Sequence, residues 1–119
     1  MIAKLGTVVL DCPDPRALAE FYAAILGGRV DAGDPEWVEV HGDFGPHLSF
    51  QLAPDHVPPQ WPDPDRPQQF HLDFYVPAYE PAERQVLALG AKLLETDHDD
   101  RNWRVYADPA GHPFCLVKK

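Results

Sequence analysis

A chain of 119 residues, 45% of them hydrophobic, is long enough to form one compact domain with an ordinary core. Its 10 Lys and Arg residues against 19 Asp and Glu residues give a formal net charge of −9. No Lys/Arg cluster supplies the basic face that a nucleic-acid-binding protein needs, and binding to an anionic membrane is disfavoured for the same reason. No apolar run approaches the length of a bilayer-spanning helix, and we expect no signal peptide.

The first half of the sequence predicts a strand, a helix and three further strands, in that order. The apolar run at residues 5–10 predicts the first strand. Asp14 and Pro15 suit the N-cap and first position of a helix, and Gly27 suits its end. Residues 29–32, 37–41 and 47–53 then predict three short strands separated by turn residues. This half is module one, residues 1–53.

A proline-rich segment follows module one. Residues 54–67 hold six of the 14 prolines. Because proline lacks the backbone donor that a sheet interior requires, this stretch cannot be a central strand. We predict a semi-rigid linker over residues 54–68.

The order of elements then repeats in module two, residues 69–119. Residues 69–76 predict a strand, 80–89 a helix, and 91–95, 102–107 and 113–117 three strands, with a polar turn at 96–101. The glycines that end the two helices, Gly27 and Gly90, are 90 − 27 = 63 positions apart. A duplicated supersecondary unit explains this spacing. We therefore predict a single α+β domain built from two βαβββ modules.

Three segments resemble a known family. They are F-Y-A-A-I-L-G at residues 21–27, F-H-L-D-F at residues 70–74 and D-P-A-G-H-P-F at residues 108–114. They are similar to glyoxalase-like proteins of the vicinal-oxygen-chelate superfamily, which also includes bleomycin-resistance proteins and dioxygenases. The resemblance covers nearly the whole chain. It implies curved mixed sheets around a ligand-sized cavity, and a homodimer.

The resemblance also implies four candidate metal-ligand positions, one on the first and one on the last strand of each module. They fall at Thr7, Gln51, His71 and Cys115. His71 matches the family pattern and Gln51 is an acceptable ligand. Thr7 stands where histidine is common, and Cys115 where glutamate is expected. We therefore predict an incomplete set of metal ligands that consists of Gln51 and His71. A divalent metal is possible, but no cofactor is firmly predicted.

Two strands carry alternating polar residues that could line the cavity. His71, Asp73 and Tyr75 share one face of the fifth strand. They could bind a polar ligand or act as an acid and base; the alternative is a His–Asp pair that only holds the strand. His47, Ser49 and Gln51 likewise share one face of the fourth strand. That face could be a polar wall of the cavity or a solvated surface. The predicted ligand-binding residues are His47, Ser49, Gln51, His71, Asp73, Tyr75 and Trp103.

The aromatic and acidic residues leave further alternatives. Trp37, Trp61 and Trp103 could supply aromatic walls, although core packing is the default for Trp37 and Trp103. Trp61, in the proline-rich segment, is better suited to a lid or a dimer contact. The acidic run at residues 97–100 lacks the glycine and glutamate of a calcium loop, so we predict a solvated turn.

Two functional hypotheses remain. One is a small-molecule-binding glyoxalase-like protein whose catalytic activity is unproven. The other is a metal-dependent lyase, isomerase or dioxygenase acting on a small carbonyl or oxygenated substrate. Signature motifs of serine hydrolases, zincins and nucleotide-binding proteins are absent from the sequence. The two cysteines, Cys12 and Cys115, are expected to be reduced thiols, which favours the cytoplasm.

Overall fold

The computed structural model describes residues 1–95 and 101–119. The acidic run at residues 97–100, predicted as a solvated turn, and nearly all of the polar turn predicted at 96–101 therefore lie outside the described residues. The described chain divides into two compact units, Met1–His56 and Val57–Lys119. Each contains a β-α-β-β-β series, so the predicted α+β fold of two modules is confirmed. The boundary between the units falls inside the stretch predicted as a linker.

The first unit is a four-stranded mixed sheet with one helix. Its elements are β1 (Thr7–Cys12), α1 (Pro15–Leu26), β2 (Arg29–Asp34), β3 (Trp37–His41) and β4 (His47–Leu52). The strand order is β1-β4-β3-β2, with β1 parallel to β4 and the other pairs antiparallel. The first and last strands of the unit are thus direct neighbours.

Local sequence explains where α1 begins and ends. The Asp14 side chain accepts a hydrogen bond of 3.2 Å from the Ala17 amide, and Pro15 occupies the first turn, as predicted. Gly27 ends the helix with φ +73°, in the left-handed region that glycine adopts without a Cβ penalty. The buried face includes Tyr22, which is fully buried and stacks on Phe50 of β4 with 5.7 Å between ring centroids. The core of this unit lies between α1 and one face of the sheet.

The second unit repeats this arrangement. Its elements are β5 (Leu72–Val76), α2 (Tyr79–Ala88), β6 (Lys92–Glu95), β7 (Trp103–Ala107) and β8 (Pro113–Lys118). The strand order is β5-β8-β7-β6, and β5 is parallel to β8. A register irregularity occurs in the edge strand of each sheet, at Asp31/Asp34 in β2 and Leu93/Glu95 in β6. Such irregularities are common at sheet edges and discourage pairing with another chain.

Helix α2 has fewer buried residues than α1. Tyr79 and Val86 are its buried residues, and α2 has no side-chain hydrogen bond at its N-cap. The helix ends at Ala88, so Leu89, predicted as its last residue, lies just past it and is 42% exposed. The core of this unit is formed mainly by the sheet itself, through Tyr106 and Phe114, whose rings stack 5.4 Å apart.

Strand β5 shows the largest shortening relative to the prediction. The sequence predicts a strand from residue 69, but β5 begins at Leu72. Its parallel partner β8 begins at Pro113, and the first matched pair is Leu72 with Phe114. Because proline supplies no ladder donor, pairing does not extend back to His71. His71 therefore directly precedes the strand.

Candidate functional site

Each sheet has a face that bears mostly apolar residues and packs towards its helix, and a polar face on the other side. Side chains alternate along a strand, and residues paired in register lie side by side on one face. The polar face of the first sheet carries Thr7, Asp11, Arg29, Asp31, Glu39, His41, His47, Ser49 and Gln51. The polar face of the second sheet carries Asp73, Tyr75, Glu95, Trp103 and Cys115.

Three potential donors meet at the start of β5. His71 Nε2 lies 3.2 Å from Asp73 Oδ1. Cys115 is paired in register with Asp73. One nitrogen, oxygen and sulfur atom from these three residues all lie within 4.8 Å of one another. The predicted pairing of His71 with Asp73 is thus seen in the structure, with Cys115 beside it.

The thiol of this group is protonated at neutral pH. Cys115 is buried, and desolvation, with the Asp73 carboxylate beside it, raises the pKa of the thiol to about 12. A metal ion that used this sulfur would first have to displace its proton. Cys12 and Cys115 are reduced thiols in the structure, the state that the sequence predicts.

The aromatic residues of this face are accessible. Tyr75 is 67% exposed and Trp103 is 37% exposed, so the expectation that Trp103 packs in the core is wrong. Both pair with Val117 of β8, one from each side. Lys119 Nζ lies 4.3 Å from the Tyr75 ring centroid, and the Arg101 guanidinium lies 4.9 Å from that of Trp103. The face therefore presents aromatic surface on which cations already stack.

Trp61 of the proline-rich segment is docked on the same sheet. Its indole nitrogen donates a 2.6 Å hydrogen bond to Glu95 Oε2, while Arg101 Nη2 donates to Glu95 Oε1, also at 2.6 Å. The Trp61 ring centroid lies 6.5 Å from that of His71. The residues predicted as a linker thus reach the His71 group. Beside them is a cavity of about 650 Å³. It is lined by residues 58–61, Gly90, Lys92, Leu94 and residues 107–111.

The predicted site residues of the first sheet have separate environments. The fully buried Ser49 hydroxyl lies 2.5 Å from the Thr7 hydroxyl, which donates to the His47 carbonyl. The His47 ring lies against that of His41, with 3.9 Å between centroids. Gln51 is exposed beside Trp37. His47, Ser49 and Gln51 therefore share a face, but each side chain has a different set of neighbours.

A second group of donors was missed by the sequence reasoning. Glu39 Oε1 is 2.9 Å from His41 Nε2, and the Trp37 indole donates to Glu39 Oε2 at 2.8 Å. These hydrogen bonds lower the pKa of the Glu39 carboxyl below its ordinary value. Asp31, opposite Glu39 in the sheet, completes a set whose ligand atoms all lie within 4.8 Å of one another. The alternation of Glu39 and His41 in the predicted third strand is the signal that could have found it.

Comparison with known proteins decides the family. The glyoxalase-like domain family matches residues 7–117, nearly the whole chain. This chain belongs to the glyoxalase-like family. The resemblance inferred from its three motifs is thereby confirmed. No curated protein sequence matches the chain.

Solved structures share the glyoxalase-like fold at low identity. A glyoxalase/bleomycin resistance protein/dioxygenase family enzyme from Burkholderia phytofirmans PsJN has a TM-score of 0.72 at 17% identity, with 96% of this chain and 97% of that chain covered. A glyoxalase-related enzyme from Fulvimarina pelagi has a TM-score of 0.70 at 21% identity, with coverages of 98% and 88%. The bleomycin-binding protein of Streptomyces verticillus, complexed with copper(II)-bleomycin, has a TM-score of 0.55 at 17% identity, with coverages of 100% and 99%.

The D-P-x-G motif of this glyoxalase-like chain has a definite structural role. Asp108 is 3% exposed, and its Oδ1 accepts hydrogen bonds from the Ala110 and His112 amides at 2.8 and 3.0 Å. Gly111 has φ +92° and lies against Pro58. The motif therefore shapes the turn between β7 and β8 and seats the proline-rich segment on it.

Within the described residues, no helix has the length and apolar character needed to cross a bilayer.

Proposed function

We propose that this glyoxalase-like protein binds a small molecule on the polar face of its second sheet. The observation that supports this best is the combination of the His71–Asp73 pair with the accessible rings of Tyr75 and Trp103. Small-molecule sites combine apolar surface with a few fixed polar groups. The predicted residues of the first sheet, His47, Ser49 and Gln51, remain proposed contributors.

The chemistry of this face favours a ligand with a planar ring and hydrogen-bond donors or a positive charge. Lys119 and Arg101 already stack on Tyr75 and Trp103, which indicates that these rings accept cationic partners. Asp73 offers a half-exposed carboxylate to a donor group. The bleomycin-binding protein of Streptomyces verticillus, which is similar in fold, supports a binding role for this chain.

A binding experiment tests this proposal. Isothermal titration with copper(II)-bleomycin, the ligand of that relative, would be run on the parent and on Tyr75→Ala, Asp73→Asn and Leu87→Ala variants. Leu87 is 39% exposed on α2 and serves as the matched control. Losing one ring contact should weaken binding about five- to tenfold in Tyr75→Ala. No binding to the parent, or equal weakening in Leu87→Ala, would contradict the proposal for this ligand class.

The alternative function is that of a metal-dependent lyase, isomerase or dioxygenase. The group of His71, Asp73 and Cys115 favours it, because imidazole, carboxylate and thiolate suit Zn²⁺. Gln51 and His71 stay the proposed family ligands. A bound divalent ion would polarise a substrate carbonyl oxygen. In a reaction without a metal, His71 and Asp73 would instead serve as the acid and the base, since His71 Nε2 lies 3.2 Å from Asp73 Oδ1.

Elemental analysis separates the two functions. We expect tag-free protein to hold less than one equivalent of divalent metal, because the protonated Cys115 thiol is a poor ligand. His71→Ala and Cys115→Ser variants provide the comparison. One equivalent of zinc in the parent, lost in both variants, would favour the metal-dependent enzyme.

The proposed assembly and location follow from the family. We propose a homodimer, to be measured by light scattering at micromolar concentration, where a monomer would contradict it. We also propose a cytoplasmic location, which the two reduced thiols support.

A further inference from the structure

A second group of metal-ligating side chains lies on the polar face of the first sheet, apart from the His71 group. Glu39 and His41 lie two residues apart on β3, so their side chains point to the same face. Asp31, on the edge strand β2, is paired in register with Glu39. One ligand atom from each of the three lies within 4.8 Å of the other two. None of the three is at a position that the family resemblance assigns to a metal.

Two carboxylates and one guanidinium lie on this part of the face, since Arg29 is paired in register with His41. The Asp31 and Glu39 carboxylates face each other across a strand pair, an arrangement that is destabilising when both are charged. Asp31 makes no ion pair within the described residues, and its side chain accepts only a long hydrogen bond of 3.4 Å from the Gly33 amide. A bound divalent ion would neutralise both carboxylates.

Neighbouring residues support the group. The Trp37 indole holds Glu39 Oε2 at 2.8 Å, so the other carboxylate oxygen is left facing His41. Such an outer hydrogen bond is what fixes the orientation of a metal-ligating carboxylate. The His47 ring lies 3.9 Å from that of His41, and His47 Nδ1 is buried without a hydrogen-bond partner in the described part of the chain. The half-buried His47 imidazole therefore packs beside His41 and limits the orientations of the His41 ring.

The donor chemistry selects the ion. Imidazole and carboxylates bind Zn²⁺ at about 2.0 to 2.2 Å, which puts tetrahedral ligand atoms about 3.4 Å apart. The His41 nitrogen and the Glu39 oxygen are 2.9 Å apart and share a hydrogen bond, so an ion that enters between them would take the place of the shared proton. Asp31 is exposed on the edge strand. Calcium would need six or more oxygen ligands, which this group does not offer. We propose that Asp31, Glu39 and His41 form a zinc-class divalent metal site, with water completing the coordination.

Zinc titration of a variant that lacks the donors His71 and Cys115 tests the proposal. The His71→Ala/Cys115→Ser double variant is treated with chelator and titrated with ZnCl₂ in a calorimeter. We expect one equivalent to bind with a dissociation constant in the micromolar range. Asp31→Asn, Glu39→Gln and His41→Gln, each made in this background, should weaken binding at least tenfold. Glu36→Gln, which removes an exposed acid in the same hairpin, should leave it unchanged.

The absorption spectrum of the protein with Co²⁺ in place of Zn²⁺ provides a second test. Co²⁺ bound at this site should show visible ligand-field bands without a thiolate-to-cobalt charge-transfer band, because no cysteine is in the set.

Asp31→Asn is the decisive variant, since its exposed strand-edge position leaves folding least disturbed. The proposal is overturned if the double variant binds no Zn²⁺. It is also overturned if Asp31→Asn binds as tightly as the background, or if Glu36→Gln weakens binding as much as Glu39→Gln does.

Discussion

Replacing Gly111 by alanine should destabilise the second unit through two separable effects. Gly111 has φ +92°, and a non-glycine residue in a left-handed conformation costs about 1 to 2 kcal/mol. A Cβ built at this position would lie 2.4 Å from Pro58 Cβ and 3.1 Å from Pro58 Cγ. Carbon atoms prefer separations of about 3.5 to 4.0 Å, so the turn or the proline-rich segment must shift by about 1 Å. Overpacking of this kind costs about 1 to 3 kcal/mol.

The matched control is Gly90→Ala in the same unit. Gly90 also has a positive φ, +112°, but its added Cβ would meet only Pro109 Cγ at 3.5 Å, an ordinary contact. We therefore expect a loss of about 1 to 2 kcal/mol for Gly90→Ala and about 2 to 5 kcal/mol for Gly111→Ala.

Urea unfolding followed by tryptophan fluorescence provides the measurement. At an m-value of about 2 kcal/mol per molar urea, Gly111→Ala should lower the midpoint of unfolding by about 1 to 2.5 M. Trp61 reports directly on the segment that contains Pro58. If both variants lose the same free energy of unfolding, the contact between the turn and this segment does not stabilise the protein, and the reasoning fails.

Three further results are expected. Asp108→Ala should lower the free energy of unfolding by about 2 to 4 kcal/mol, because two turn amides lose their carboxylate acceptor. Asp108→Asn, which keeps an acceptor oxygen, should lower it by about 1 kcal/mol, and thermal unfolding of both variants compares the two losses. Tyr22→Ala should cost about 3 to 5 kcal/mol in chemical unfolding, since the ring is fully buried against Phe50. In a Cys12→Ala background, the rate of Cys115 alkylation should keep increasing with pH up to about pH 12. The free energy of unfolding should decrease as pH rises above about 9, because the folded state holds the thiol proton more tightly than the unfolded state does. A rate that levels off near pH 9 would contradict the last expectation.

The sequence predicts the elements of this fold well because their signals are local. Asp14, Pro15 and Gly27 bound α1 through hydrogen bonds and a backbone conformation that involve only nearby residues. Boundaries were missed where a distant partner decides them. The start of β5 depends on Pro113, about 40 residues further along the chain, because that proline sits at the beginning of the strand that pairs with it.

The candidate site is predicted only in part, for a related reason. Alternation along one strand is enough to group His71 with Asp73. The position of Asp31 opposite Glu39 depends on the register between two strands and on an irregularity in β2, which no single segment specifies. The exposure of Trp103 likewise depends on which face of the second sheet its neighbours leave open, and a large aromatic residue by itself favours the core.

The parallel pairing within each unit has a consequence for how the chain folds. Thr7 pairs with His47 and Leu72 pairs with Phe114, separations of 47 − 7 = 40 and 114 − 72 = 42 residues. Each sheet is therefore complete only when the two ends of its module meet, which makes loop closure a costly step. All the residues that the first sheet needs precede residue 53, so it could close on the ribosome while the second half is still being synthesised. We expect ribosome-bound chains that have exposed only the first 56 residues to acquire resistance to proteolysis before any part of the second unit has emerged.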